Sequence, residues 1–304
     1  MPSALSLVFR SSLCRSPHPN LPPQGGKGSK GWRSFFFISL FFLSSVGSTV
    51  SADEQPDFRV CLLEDNLPYS SRRDSSGFDF DTAKAVAEAL SRPLAPVWVK
   101  NSTHIAEIED SDFPTRRLSR GECDAIFSVP GQDAVKDSPK LTIGAPYYGS
   151  AFELIGRDGN APVDLTALGE NPVAIQSQTI ANFVLNARKA KMRTFFSIEE
   201  ALNGLAKGET TAAFLWGPTT GWYLHNHPEL KLVFVANYEP PAVVRWNEHV
   251  VTRKSDTALR ETIDKALAQL SASGALQTML TQYGVPVHRP FDTTYSLAEM
   301  QKLR

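Results

Sequence analysis

The chain has 304 residues, 42% of them hydrophobic and 21% charged, with a formal net charge of -1 at pH 7. That length and balance fit two ordinary folded domains and exclude an intrinsically disordered chain. The near-neutral total gives no whole-protein field of the kind that gathers nucleic acid. It also hides an asymmetry. Residues 1–52 carry five cations (Arg10, Arg15, Lys27, Lys30, Arg33) and no acid, which leaves 26 cations against 32 acids, a formal -6, on the remainder.

The first segment reads as a leader. Lys27 to Arg33 is basic, Phe35 to Val46 is apolar, and Val50-Ser51-Ala52 offers small residues for cleavage before Asp53. The apolar run is shorter than the roughly 20 residues of a membrane span, and no Cys directly follows it to carry a lipid anchor. The expectation is export to the periplasm with cleavage near Ala52 and no membrane anchor in the mature form. Ser16 to Gly28 is rich in Pro and Gly, which suggests a translation start nearer Trp32. Residues 1–52 are therefore set aside as leader and signal peptide. Cys14 leaves with them, and the mature chain keeps Cys61 and Cys123. An oxidising compartment favours pairing them where geometry allows.

The mature chain alternates strand and helix. Phe58 to Leu63 reads as a buried strand, followed by the polar turn Glu64-Asp65-Asn66-Leu67-Pro68-Tyr69. A helix follows with Phe80, Ala83, Ala87 and Leu90 on one face, Asp79 as its N-cap and Pro93 beyond its end. Leu94 to Val99 is a second strand. A helix ends at Gly121, and Cys123 to Val129 is a third strand closed by Pro130-Gly131. This alternation predicts a parallel α/β sheet.

The pattern then repeats. Pro172 to Gln176 is a strand opening into a helix with Ile180, Phe183, Val184 and Ala187 on one face. Ser197 and Glu200 form a capping box. Thr211 to Trp216 and Leu230 to Val235 are strands, Val243 to Thr252 is extended, and a long amphipathic helix and a short one run to Gly284. The last segment lacks the strands for a third domain, so it packs back onto the first block. The extended stretches near 150–155 and 243–250 become the two crossings between lobes, with a ligand cleft where the strand ends converge.

Several stretches resemble the amino-acid type of solute-binding protein, family 3. They are Phe58-Arg59-Val60 through Pro68-Tyr69, Gly77-Phe78-Asp79-Phe80-Asp81, Gly121-Glu122-Cys123-Asp124-Ala125-Ile126, Ala145-Pro146-Tyr147-Tyr148, and Asp256-Thr257-Ala258-Leu259 with Ser273-Gly274 through Tyr283-Gly284. The resemblance covers about 57–286. It implies an α/β fold of the type II periplasmic binding protein class, two α/β lobes joined by a two-strand hinge. The expected division is 53–150 plus 245–286 for lobe 1, 151–244 for lobe 2, and a loose C-terminal tail over 287–304.

A narrower resemblance is to the branch associated with periplasmic quinoprotein methanol dehydrogenases, the MxaJ/XoxJ type. It rests on Cys61, Asn66-Leu67-Pro68, Cys123, Val129-Pro130-Gly131, Trp216-Gly217-Pro218, Gly221-Trp222-Tyr223 and Gly284-Val285-Pro286. In the doubly wound order the first and third strands lie side by side, so a Cys61–Cys123 disulfide is expected.

An α-amino acid needs a cation for its carboxylate and an acid for its ammonium. The family places an Arg in a Thr-x-x-Arg turn after the third strand; here that turn is Gly131-Gln132-Asp133-Ala134. Its ammonium-binding Asp follows a strand of the second lobe; here that strand ends in Trp216-Gly217-Pro218. Its Gly-Thr at a helix start is replaced by Gln178-Thr179. Losing such desolvated charge pairs costs about 2–5 kcal/mol each, so amino-acid transport is not expected, unless Arg116 or Arg117 substitutes for the missing clamp. The candidate lining for a ligand or partner is Glu64, Asp65, Asn66, Tyr69, Phe78, Gly131, Gln132, Tyr147, Gln176, Gln178, Trp216 and Gly217; Phe78 and Tyr147 are as well explained by core packing.

No cofactor, catalytic residue or metal site is assigned: the acidic turn is short of oxygen ligands, and His225 and His227 face different sides of a helix. The resemblance implies an accessory protein that binds the quinoprotein dehydrogenase or its cytochrome, with a small molecule in the cleft as a further partner class, rather than an enzyme. The alternatives are an importer subunit for a small non-amino-acid solute and an exported enzyme on the same fold.

Overall fold

The structure is a computed structural model that describes residues 56–101, 113–157, 162, 164–168, 170–296 and 299. The expected leader and cleavage site at 1–52 lie outside these residues.

The first lobe opens with β1 (Phe58–Leu63), whose Phe58, Val60, Cys61 and Leu62 are all buried. An apolar run broken only by Arg59 marks a strand covered on both faces. After a small hairpin of β2 (Asp65–Asn66) and β3 (Ser70–Ser71) come α1 (Phe78–Ala89) and β4 (Leu94–Val99), which pairs parallel with β1. α2 (Pro114–Ser119) precedes β5 (Ile126–Pro130). The third strand therefore starts three residues later than its apolar pattern suggested. Cys123 sits just before it, and Ala125 makes an isolated parallel bridge to Val60. Cys61 and Cys123 form the disulfide, with Cα atoms 5.6 Å apart.

Asp79 does not cap α1. Gly77 stands at the N-cap with φ 115°. A Cβ at Gly77 would lie 2.3 Å from the Tyr69 carbonyl oxygen, so only glycine lets the helix start so close to the first turn. Asp79 falls one residue inside the helix and is buried.

β6 (Leu141–Arg157) is 17 residues long and runs out of the first lobe into the second. There β7 (Val173–Gln176), α3 (Ala181–Ala187), β8 (Met192–Phe195), α4 (Ile198–Ala206), β9 (Ala212–Trp216), α5 (Gly217–Asn226) and β10 (Leu232–Phe234) follow. The sheet order is β6-β9-β7-β8, with β10 on the other side of β6. One face buries Phe152, Leu154, Val173, Ile175 and Phe214, and the other Ile155, Ala174, Leu202, Leu205 and Leu215. Ser197 caps α4 by accepting the Glu200 amide, as the capping box predicts. α3 turns differently from its sequence reading: Ala181, Val184 and Leu185 face inward, and Phe183 is 59% exposed. β8, with the mixed sequence Met-Arg-Thr-Phe, had no strand signature and takes shape as an edge beside β7.

β11 (Arg245–Arg253) returns the chain antiparallel to β6, from Arg245 opposite Ala151 to Arg253 opposite Leu141. α6 (Thr257–Ala272) and α7 (Ala275–Gln282) then rejoin the first lobe, where Ile263, Leu267, Leu276 and Leu280 share one core with Phe58, Val60 and Phe78. The two lobes are thus joined by β6 and β11, the two-strand hinge of the type II class.

Of the expected tail, residues 287–296 are tied to the crossing strands. The Gly149 amide donates to the His288 carbonyl at 3.0 Å, and His288 Nε2 lies 2.7 Å from Glu153 Oε1. Asn247 exchanges two hydrogen bonds with the Phe291 backbone, and the Arg245 guanidinium bonds the Thr293 carbonyl and stacks 4.8 Å over the Phe291 ring. Gly149 makes room for this ring, because a Cβ there would lie 2.5 Å from Phe291. The strap therefore ties both crossing strands at their shared stretch. Ending the chain after Pro286 removes these bonds, each worth about 1 kcal/mol net, and since the released chain regains conformational entropy that offsets part of the loss, stability is expected to fall by roughly 2 kcal/mol. Urea unfolding with an unchanged midpoint would show that the strap contributes nothing.

Candidate functional site

The first turn and the second lobe meet at two aromatic side chains. Trp216 ends β9, and its indole Nε1 donates to the Tyr69 hydroxyl at 2.8 Å. Trp216 is held from behind by Phe152 (5.6 Å) and Trp246 (5.7 Å), and Tyr69 by Phe78 (4.9 Å). Each ring is rooted in its own lobe's core, and their bond runs from one lobe to the other.

Behind this pair lies a buried polar cluster. Phe78 packs against Tyr148 and Tyr148 against Tyr147, with centroids 5.7 and 4.9 Å apart. Ser128, near the end of β5, has φ 49°. Its amide donates to the Tyr147 hydroxyl at 2.9 Å, its Oγ lies 2.8 Å from the Tyr148 hydroxyl, and its Oγ donates to Asp79 Oδ1. On the hinge, Ser150 Oγ donates to Glu248 Oε1, while Glu248 Oε2 is buried without a hydrogen-bond partner.

Asp79 is 6% and Glu248 2% exposed, and no Lys, Arg or His among the described residues pairs with either. Burial dominates their titration. It pushes Glu248 up to about 7, the Ser150 bond offsetting only part. It holds Asp79 well above the usual carboxylate range, with Glu248 adding to the effect and Ser128 opposing it. Burial and the neighbouring carboxyls keep Tyr69, Tyr147 and Tyr148 neutral.

The other residues singled out in the sequence fall into different places. Phe78 and Tyr147 are buried core residues whose ring and hydroxyl border the cluster. Gly217 opens α5 against the hinge, where a Cβ would lie 2.8 Å from Glu153 Cγ. Gln176 ends β7, and Gln178 is exposed at φ 60°. Gly131, at φ 73°, starts a short 3-10 turn, and Gln132 on it is exposed. Glu64 turns to Arg72, Asp65 is exposed, and Asn66 lies in β2. Tyr69, Phe78, Tyr147 and Trp216 are therefore brought together, while Glu64, Asp65, Gln132 and Gln178 are not. Arg117 lies 3.7 Å from Glu122.

Sequence reasoning missed Asp79 as a buried acid, and it missed Ser128, Tyr148, Ser150 and Glu248 altogether. The available signal was Glu248 itself, an acid inside the extended stretch from Val243 to Thr252 that serves as a crossing strand, because an acid in a buried strand needs a partner. A second missed acid, Asp124, lies at the far end of the first lobe. Burial alone would raise it, but bonds from Arg59 and Arg253 prevail and hold it below the usual carboxylate range.

The glycines of two sequence motifs also meet across the lobes. A Cβ at Gly221 on α5 would lie 2.0 Å from the Gly284 carbonyl oxygen, and one at Gly284 would lie 2.5 Å from the Gly221 oxygen. Backbone touches backbone here, and Trp222 packs on Tyr283 beside it at 5.8 Å.

Comparison with known proteins agrees with this architecture. Residues 58–286 match the model of the bacterial extracellular solute-binding proteins, family 3. The chain is 25% identical over 275 residues to the protein MoxJ of Methylorubrum extorquens, covering 80% of this chain and 86% of that one. Among solved structures it resembles the second substrate-binding domain of a putative amino acid ABC transporter from Streptococcus pneumoniae, with TM-score 0.62, 17% identity, and coverage of 75% of this chain and all of that one. It also resembles MxaJ from Methlophaga aminisulfidivorans, with TM-score 0.55, 18% identity, and coverage of 76% and 99%. The chain belongs to the bacterial extracellular solute-binding proteins, family 3.

Proposed function

We propose that this family 3 protein is a periplasmic accessory protein of a quinoprotein alcohol dehydrogenase system and acts by binding a protein partner, the dehydrogenase or its cytochrome, without catalysing a reaction. The observation that carries this reading is the Trp216–Tyr69 bond, made from one lobe to the other at the place where related folds take a solute. The amino-acid clamp is missing there, since the turn after Pro130 has no Arg and the strand end before Gly217 has no acid. The hinge strap and the Gly221–Gly284 contact support a fixed, closed shape whose outer faces meet the partner. The likeness to MoxJ and MxaJ supports the choice of system.

Pull-down with purified quinoprotein dehydrogenase and with its cytochrome tests the reading. A complex with one of them is expected, and failure to capture either would overturn it. Trp216→Ala opens a pocket but leaves the outer faces intact, so affinity for the partner should change by less than about tenfold. Complete loss of capture by a folded Trp216→Ala protein would place the partner in the cleft instead. Calorimetry against the common amino acids is expected to give no micromolar binder, since each missing charge partner costs about 2–5 kcal/mol. A micromolar dissociation constant for any of them would restore amino-acid transport as the function.

A further inference from the structure

One edge of the second lobe is basic in a body that is otherwise acidic. From Asn171 to Ile198 the sequence has four cations, Arg188, Lys189, Lys191 and Arg193, and no acid. All four residues are exposed, just before β8 and along it. Setting them apart leaves 22 cations against 32 acids on the rest of the mature chain. Two acids from elsewhere reach this edge: Glu170 lies 2.8 Å from Lys191, and Glu209 lies 2.7 Å from Arg193. Both pairs are exposed, where such contacts are worth little, and the edge keeps an excess of positive charge.

β8 is the last strand of its sheet, and among the described residues no strand pairs with its outer side. In a parallel ladder alternate residues bond the same neighbour. The Lys191 and Phe195 carbonyls accept from Val173 and Ser177, so the main-chain groups of Met192 and Thr194 point outward. Charged side chains on an open edge ordinarily deter another strand. Here large apolar side chains accompany them. Phe196 is 85% and Phe183 59% exposed, more than any other large hydrophobic residue among those described. Phe196 directly follows β8, level with the end of β7, and Phe183 lies in the first turn of α3, which leaves from that end. Both rings therefore stand at one end of the edge, and Lys189 and Lys191 at the other. A scattered exposed ring needs no explanation, but this arrangement matches an extended segment that is apolar at one end and acidic at the other.

We infer that the outer edge of β8 takes up an extended acidic segment of a protein partner. The segment adds a strand beside Met192–Phe195, sets its carboxylates against Lys189 and Lys191, and rests an apolar side chain on Phe183 and Phe196. Main-chain bonds to Met192 and Thr194 give the hold, and the charges set partner choice and association rate. The inference rests on the reading of an accessory protein that binds a partner, and names the surface that does so. β7 lies between this edge and β9, which carries Trp216, so the surface is separate from the contact between the lobes.

Amide NMR of the mature protein with two short synthetic peptides tests the edge without any partner. One peptide alternates Glu and Val and ends in Phe; the other has Gln for each Glu. Saturable shifts are expected with the acidic peptide, centred on Phe183 and on residues 189–196, and fading as salt screens the charges. Lys189→Glu with Lys191→Glu should weaken binding about tenfold or more. Phe183→Ser with Phe196→Ser is an independent pair, and since all four side chains are exposed, both double variants should fold. The same variants are then compared for capture of the dehydrogenase and of its cytochrome. No saturable shift with the acidic peptide, shifts centred elsewhere, equal binding of the Gln peptide, or a captured complex that both double variants leave unchanged would each overturn the assignment. A dimer by sedimentation that the Phe variant disperses would give the edge to a second copy of this chain and overturn it as well. Shifts at the edge without capture of either protein would leave the edge standing and sink the accessory role, so the two readings fail separately.

Discussion

Replacing Cys61 and Cys123 together by alanine is expected to cost about 4 kcal/mol of stability. The bond links residues 62 positions apart. Without it the unfolded chain regains the freedom of a long loop, while the folded chain keeps nearly the same contacts. Both cysteines are buried, at 2% and 0% exposure, among Val99, Leu118, Ile126 and Leu141. The bond ties β1 to the residues that lead into β5, two places otherwise joined by the Val60–Ala125 bridge, the amide bonds beside it and the Arg59 bonds to Asp124 and the Gly121 carbonyl. Its loss should therefore loosen the first lobe most, and amide exchange should rise over 58–63 and 123–130 more than over 173–216. Urea unfolding of the double variant within about 1 kcal/mol of the parent, or mass spectrometry of the native protein showing two free thiols, would remove the bond from the account.

The fold was legible because most elements carry strong local signals. β1 is an apolar run broken only by Arg59, α4 has its Ser197–Glu200 box, and α6 has a clear apolar stripe ended by Gly274. The crossings were visible as extended stretches without a domain of their own. Where reading failed, a tertiary contact had overridden the local pattern. Phe183 fits an apolar helix face by spacing, but Leu185 fills the inward position and Phe183 turns outward. Asp79 looks like a cap by composition, but Gly77 can come closer to the Tyr69 backbone, and the helix starts earlier. The strap has no periodicity, because its hydrogen bonds go to Asn247, Arg245 and Gly149 rather than to itself.

The site was half legible for a related reason. Its aromatic side chains lie in motifs at strand ends, and Tyr69 and Trp216 could be named from them. Its polar groups come from three places far apart in sequence, α1, β5 and the hinge, and their meeting depends on how β11 registers with β6. Glu248 stands opposite Tyr148, and Asn247 opposite Gly149. A one-residue slip would turn Glu248 to the other face, so nothing short of the pairing itself places its carboxyl beside Ser150.

Glu248→Gln is expected to raise stability by less than about 1 kcal/mol at pH 5 and by roughly 3 kcal/mol at pH 8, relative to the parent at each pH. The sign follows from proton linkage. Burial raises the folded-state value from 4.5 to about 7, so between these values the folded chain binds more protons than the unfolded one. The stability due to the protonated carboxyl is fully present below about 4.5 and is lost as pH rises through about 7. A difference of that size, at about 1.4 kcal/mol per unit, amounts to roughly 3 kcal/mol once pH is above both values. Glutamine stays neutral throughout and can still accept from Ser150, so it escapes the loss. Two neighbours also titrate. Asp79, raised by burial, loses stability in the same direction as Glu248. His249 is lowered, by burial first, and loses stability as pH falls. His249 is present in parent and variant and cancels from the difference between the two curves, which reports Glu248 together with its push on Asp79. Urea unfolding across pH 5 to 8 measures it. Parallel curves for parent and variant would mean that Glu248 carries its charge at no cost, and that a partner for its second oxygen is already in place.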